Sequence, residues 1–285
     1  MLTYVCVVCI KLTWCSGSVL FQVPGVRYER FLHDCCHGQL LGTGRLANGS
    51  ALVYLLEGGF FSAWPDRGQY KDQLISVLKL AYLNFNSWKK RNKLRCTQPR
   101  FTPARLNRTS RQTFPCLSSK AATSKILTYW LADLTKQHSD KTSATELDRE
   151  VAVCMWAYAR SLQVLDGAGM LMKDDEKRAF FDMVLLHLQT YAHLHKKSSG
   201  VTGVNLNRSL WQLVPKHHHF FHCAEDCLIT GLNPKMNTLL SAESWIGIMG
   251  RISKKCHRSS VDKRSIQRYL ATMHFKLKEL QKNRT

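Results

Sequence analysis

The segment Pro215-Lys216-His217-His218-His219-Phe220-Phe221-His222-Cys223 places four imidazoles and a thiol within nine residues. On a helix His218 and His222 fall one turn apart on one face, the spacing that lets two ring nitrogens reach a single metal ion. A histidine run also arises as a solvated loop without a ligand role, and spacing alone does not separate the two. Near the start of the chain Asp34 and His37 form a D-x-x-H pair whose side chains point the same way in a helix start or tight turn. A carboxylate and an imidazole so placed, joined by His218 and His222, would complete a tetrahedron around zinc. A helix cap by Asp34 with an exposed His37 is the competing reading. Cys35, Cys36, Cys223 and Cys227 adjoin these residues, so an all-thiolate or mixed ligand set stays open. Glu243 stands before Gly247 and Gly250, and glycines beside a carboxylate let a backbone or phosphate approach closely. That suits a magnesium-binding acid in phosphoryl transfer. A first-turn glutamate serving the helix dipole is the bland alternative.

Elements must carry these side chains. Residues 1–24, rich in Val, Cys, Leu and Thr, read as two short strands broken at Ser16-Gly17 and ending at Pro24-Gly25. A turn-rich stretch runs to Gly68. From Gln69 to about Asn92 a stripe of Leu74, Val77, Leu78, Ala81, Phe85 and Trp88 predicts a helix, with Lys89-Lys90-Arg91 in its last turn. Residues 93–118 read as a basic, proline-punctuated loop. Helices are expected from Ser119 to Lys136, from a Ser143/Glu146 capping box to Gly167, and from Asp174 to about Tyr191. A Ser/Gly/Asn linker, 196–207, precedes three shorter helices over 217–229, 241–256 and 262–281. The last is expected to bury Ile266, Tyr269, Leu270, Met273, Leu277 and Leu280.

The formal charge of +21 is concentrated. No acidic residue lies between Asp72 and Asp133, against twelve Lys or Arg, and from Arg251 onward eleven basic residues face two acids. Such clustering is the electrostatic footprint of a protein that meets a polyanion, with nucleic acid the commonest partner. Eleven irregularly spaced cysteines in a chain of 285 residues do not form a small disulfide framework; they read as core thiols of a reduced, intracellular protein. The apolar opening is too short to span a bilayer, and no other stretch approaches that length, so no membrane partner is expected.

Taken in order, Asp34-x-x-His37 with Leu40-Leu41-Gly42, Phe114-Pro115-Cys116-Leu117-Ser118-Ser119-Lys120-Ala121, Pro215-Lys216-x-His218-x-x-x-His222 and Glu243 resemble the distal part of cut-and-paste DNA transposases. The closest likeness is to the CACTA-like group and its protist relatives. The resemblance covers roughly residues 30–275, in short motifs separated by unmatched sequence. It implies a mainly α chain with a short β region at the N-terminus: a partial RNase H-like core interrupted by a large helical insertion. On that basis 1–68 is the partial core with its D-x-x-H segment, 69–197 the insertion, and 208–285 a C-terminal helical part carrying the histidines and Glu243. The resemblance makes Glu243 the last acid of an Asp-Asp-Glu triad, and Asp34, His37, His218 and His222 the ligands of a structural Zn2+.

The departure from the family pattern is as informative. Its two catalytic aspartates precede the D-x-x-H motif, and Glu29 is the only acid before Asp34. Two-metal chemistry needs three or more converging carboxylates. Mg2+ is therefore expected only with a complete core, and the chain is expected to be a truncated or domesticated piece without strand transfer of its own. The function expected is DNA binding through phosphate contacts. The residues are Lys89, Lys90, Arg91, Lys93, Arg95, Arg105, Arg108 and Arg111, and then Lys254, Lys255, Arg258, Arg264 and Arg268. The run from Lys89 to Arg95 doubles as a nuclear localisation signal, so the nucleus is the expected compartment. Two readings compete: a zinc-dependent nuclease or hydrolase built on the His/Cys/Asp cluster, and a non-catalytic basic helical scaffold for an acidic partner.

Overall fold

The computed structural model describes Pro24, residues 33–198 and residues 209–282. The strands expected within residues 1–24 lie outside these, apart from Pro24 in a turn. The described residues form a mainly helical protein with one isolated antiparallel bridge, Leu171 to Leu232. A π-helical segment α1 (Cys36–Thr43) runs directly into α2 (Gly44–Glu57). Then follow α3 (Tyr70–Arg91), α4 (Ala121–Ser139), α5 (Glu146–Gly167), α6 (Asp174–Ser198), α7 (Pro215–Thr230), α8 (Leu240–Ser253) and α9 (Val261–Lys282). The chain divides into two compact units, residues 1–237 and 238–285. Helices α2 and α3 share one apolar cluster of the first unit, and α6 and α7 share another.

The helix α2 takes up the first part of the expected turn-rich stretch, and turns and bends follow from Gly58 to Gly68. The glycines of α2 are there for close approach, not for turns. A Cβ on Gly49 would stand 2.9–3.0 Å from the backbone of Pro115, Cys116 and Leu117, so only glycine lets α2 lie against that loop. Leu117 N–H donates to the Arg45 carbonyl at 3.0 Å and seals the contact.

Two apolar clusters fill the first unit. One joins Leu52, Leu55 and Leu56 of α2 to Leu74, Leu78 and Phe85 of α3, Trp130 and Leu131 of α4, Val151 and Met155 of α5, and Tyr191 and Leu194 of α6. The other joins Cys36 and Leu40 of α1 to Tyr158 and Leu162 of α5, Phe180 and Val184 of α6, and Phe220 and Cys223 of α7. The first half of α5 and the last half of α6 share one cluster, while their opposite halves share the other. The two helices are therefore antiparallel, and together they tie both clusters into one body.

Local chemistry sets the boundaries. The capping box of α5 is Thr145/Asp148, two residues beyond the Ser143/Glu146 pair that the sequence suggested. Asp148 wins because it has more to offer than the cap. Tyr54 Oη donates to it at 2.6 Å and His138 Nε2 lies 3.1 Å away. Burial alone would raise this carboxyl, but hydrogen bonds from Tyr54 and Thr145 outweigh it and hold Asp148 below the usual carboxylate range. Pro215 opens α7, and Gly231, at φ +69°, ends it in the left-handed region.

The second unit is thinner. On α9, Ile266, Leu270 and Leu277 are 55–61% exposed, and Tyr269 and Met273 are half-buried, so the core expected along this helix does not form there. Only Ser265 is buried among the described residues of α9.

Candidate functional site

The helical phase of α7 sorts its histidines. His217 points inward on the same side as Phe220, Ala224 and Cys227, and is buried. His218 and His222 lie on the flank, half-buried, and His219 is exposed. The Nε2 atoms of His218 and His222 face each other at 2.9 Å. His222 Nδ1 is held by Glu225 Oε2 at 2.5 Å. A carboxylate that fixes one ring nitrogen while the other is presented outward is the arrangement that orients metal-binding imidazoles. Two nitrogens on one tetrahedral zinc stand about 3.4 Å apart, so this pair fits half of such a site with a small opening.

The other half is arranged differently. Asp34 accepts from the N–H groups of Cys36, at 2.9 Å, and His37, at 3.2 Å, and its carboxylate also bonds the His37 ring through Nδ1. It caps the start of α1, the alternative that spacing left open. Among the described residues no three His, Cys, Asp or Glu side chains converge as a metal site. Asp34, His37, His218 and His222 are thus neighbours of two kinds, a converging pair and a cap, rather than a closed tetrahedron.

His33, Glu225 and Asp226 complete this surface and carried no motif that sequence reasoning could use. His33 Nδ1 pairs with Asp226 Oδ2 at 2.6 Å, and its ring stacks on His222 with centroids 5.4 Å apart. His33, His37 and His222 therefore each have a carboxylate on Nδ1. The i,i+3 spacing of His222 and Glu225 was the one visible signal.

The adjoining cysteines are core thiols. Cys35 donates to Gln39 Oε1 at 2.7 Å, and Cys227 contacts the Met172 sulfur at 3.4 Å. The Cys35 thiol beside it, together with burial, pushes Cys223 well above the ordinary thiol range, and burial raises Cys227 to about 11.

Glu243 lies in the first turn of α8, in the second unit. On the same helix Trp245 is 47% exposed, and Ile248, Met249 and Ile252 are half-buried.

The proposed phosphate contacts divide sharply. Lys90, Arg91, Lys93, Arg95, Arg105 and Arg111 are exposed and Lys89 is half-buried. In the second unit Lys254, Lys255, Arg258, Arg264 and Arg268 are exposed as well. Arg108 is a correction: its side chain is fully buried and cannot reach a phosphate. Its guanidinium bonds Glu57 Oε1 at 3.2 Å, Tyr70 Oη at 2.9 Å and the carbonyls of Thr113 and Ser209. It ties the basic loop and the segment before α7 to the end of α2. Burial, then the Glu57 charge, raises the Tyr70 phenol far above its usual range, so it stays a donor to that carboxylate.

No protein-family model, no curated protein and no solved structure matches this chain. No described helix is long and apolar enough to cross a membrane.

Proposed function

We propose that this chain is a transposase-derived DNA-binding protein that holds duplex DNA by its phosphate backbone. The observation that carries the reading is the acid-free stretch between Asp72 and Asp133. In it Lys90, Arg91, Lys93, Arg95 and Arg105 are exposed and make no ion pair among the described residues. A solvated surface of neutral purpose intersperses both signs; a field of one sign attracts a polyanion. On this reading the helices from α3 to α6 are the insertion, α1 and α7 border an RNase H-like core, and the protein works in the nucleus. Zinc enters the proposal through His218 and His222, the two ring nitrogens brought face to face, with Asp34 and His37 retained by resemblance. Phosphate contacts position but do not read sequence, so little base preference is expected.

The test is the affinity of the chain for a duplex of mixed sequence as a function of salt. Log affinity falls with log salt by roughly 0.9 per phosphate neutralised, so a steep slope supports the reading. Affinity indifferent to salt would overturn it. The zinc content of the wild type beside His218→Ala/His222→Ala tests the metal separately: one zinc per chain, lost in the variant, is the expected result.

A further inference from the structure

Where α3 ends and α4 begins there is a cleft of about 570 Å³ whose lining includes Lys89, Arg95, Thr97, Lys120, Thr123 and Ile126. Three elements deliver its cations. Lys89 comes from the last turn of α3, Arg95 from the loop, and Lys120 is the residue that opens α4. No carboxylate lines the cleft. The nearest acid along the chain, Asp133, already accepts from the Trp88 indole at 2.7 Å. None of the three cations has an ion-pair partner among the described residues. Lys89 is already positioned: its ammonium donates to the Cys96 carbonyl at 3.3 Å and lies 5.7 Å from the Phe85 ring centroid. One of its three protons is used, which leaves two for a ligand.

The surroundings add donors and nothing that repels an anion. The first turn of α4 has no acid and no side-chain cap. Thr97 and Thr123 in the lining bring hydroxyl groups beside the cations. Leu94 and Ile126 supply an apolar wall beside the cations. Three like charges held around an open cleft repel one another, a cost that a bound anion removes.

We propose that this cleft binds a phosphate group, and that its source is a nucleic-acid backbone. The phosphate chemistry stands on the cleft itself; the choice of source rests on the DNA-binding reading. The cleft then anchors the duplex, and the exposed cations around it contribute only to the diffuse field.

The experiment compares the full chain with Lys89→Ala/Arg95→Ala/Lys120→Ala and with a control of equal charge, Arg67→Ala/Lys71→Ala/Lys79→Ala. Affinity for a mixed-sequence duplex is read by fluorescence anisotropy over a salt series, with circular dichroism melts to verify folding. The cleft variant is expected to lose about tenfold or more in affinity and roughly one unit of salt slope per phosphate released, while the control loses far less. Lys120→Glu, at an exposed position, gives the same direction with no loss of fold. Equal losses in both triple variants, or an unaltered cleft variant, would overturn the cleft and leave DNA binding standing. No duplex binding by the wild type, with calorimetric binding of inorganic pyrophosphate that Lys120→Glu abolishes, would overturn the nucleic-acid source and leave the phosphate site. Absence of both kinds of binding would overturn the proposal entirely.

Discussion

Arg108 and Arg95 come from the same acid-free stretch, yet they occupy opposite environments. Around Arg108 the chain has closed a knot: Glu57 answers the charge, Tyr70 and two carbonyls take three more of its five donors, and the side chain is fully buried. Around Arg95, Lys89 and Lys120 there is no answering charge among the described residues, and the cleft stays open. The difference teaches that charge density along a sequence marks a partner only where the fold leaves the charges unpaired. One arginine in this stretch is architecture; its neighbours are surface.

Breaking the knot should have the largest effect. Arg108→Ala strands a buried Glu57 carboxylate and frees the loop, and a loss of about 3–5 kcal/mol in urea unfolding is expected. A loss no larger than that of a surface arginine would erase the contrast drawn above.

The imidazoles sharpen the comparison by pH. His187 and His217 are buried, each with Nε2 unpartnered, whereas His33, His37 and His222 have carboxylates. Burial depresses His187 to about 3 and His217 to about 4 from an ordinary value near 6.5. The folded state thus refuses protons that the unfolded chain accepts. Stability is complete above pH 6.5 and falls as pH drops toward 4 and then 3, by at most about 1.4 kcal/mol per pH unit for each imidazole. Replacing His187 with Phe should flatten this slope in melts between pH 6.5 and 4.5; an unchanged slope would assign the acid sensitivity elsewhere.

Smaller effects test how the loop is held. Gly49→Ala drives a methyl into the backbone of Pro115–Leu117 and should cost roughly 1–3 kcal/mol. Thr145→Ala removes the hydroxyl that accepts from Asp148 N–H and should cost about 1 kcal/mol, seen as a lower melting temperature. At the other extreme, Lys120→Ala should leave stability within about 0.5 kcal/mol while weakening DNA binding, a separation of function from fold that Arg108 cannot show.

Periodicity made α3 and the buried faces of α4 to α6 legible, since a stripe such as Leu74, Val77, Leu78, Ala81, Phe85 and Trp88 admits one phase. It failed at α1–α2, where Gly38, Gly42, Gly44 and Gly49 imitate turns and only the packed loop explains them. The His218/His222 pair was readable from spacing. The His222 partner, Glu225, sat at a visible i,i+3 spacing, but the His33 partner was not readable, because a carboxylate 193 residues away carries no pattern. On α9 an apolar stripe predicted a core that needs a second surface, and a stripe cannot say where that surface is.

The π-helical winding of α1 has a consequence for how this part of the chain can vary. A π turn holds one residue more than an α turn, so it marks a place where the main chain tolerates a change in length without losing its helix. Removing a single residue from Cys36–Thr43 would relax the segment to α geometry and leave the residues on either side near their present faces of the helix. The Asp34 cap on His37 is local and would travel with the start of the segment, while the hydrophobic face of α2 stayed in register. One residue more or less here is therefore absorbed within the segment itself, and both the histidine surface and the core are spared.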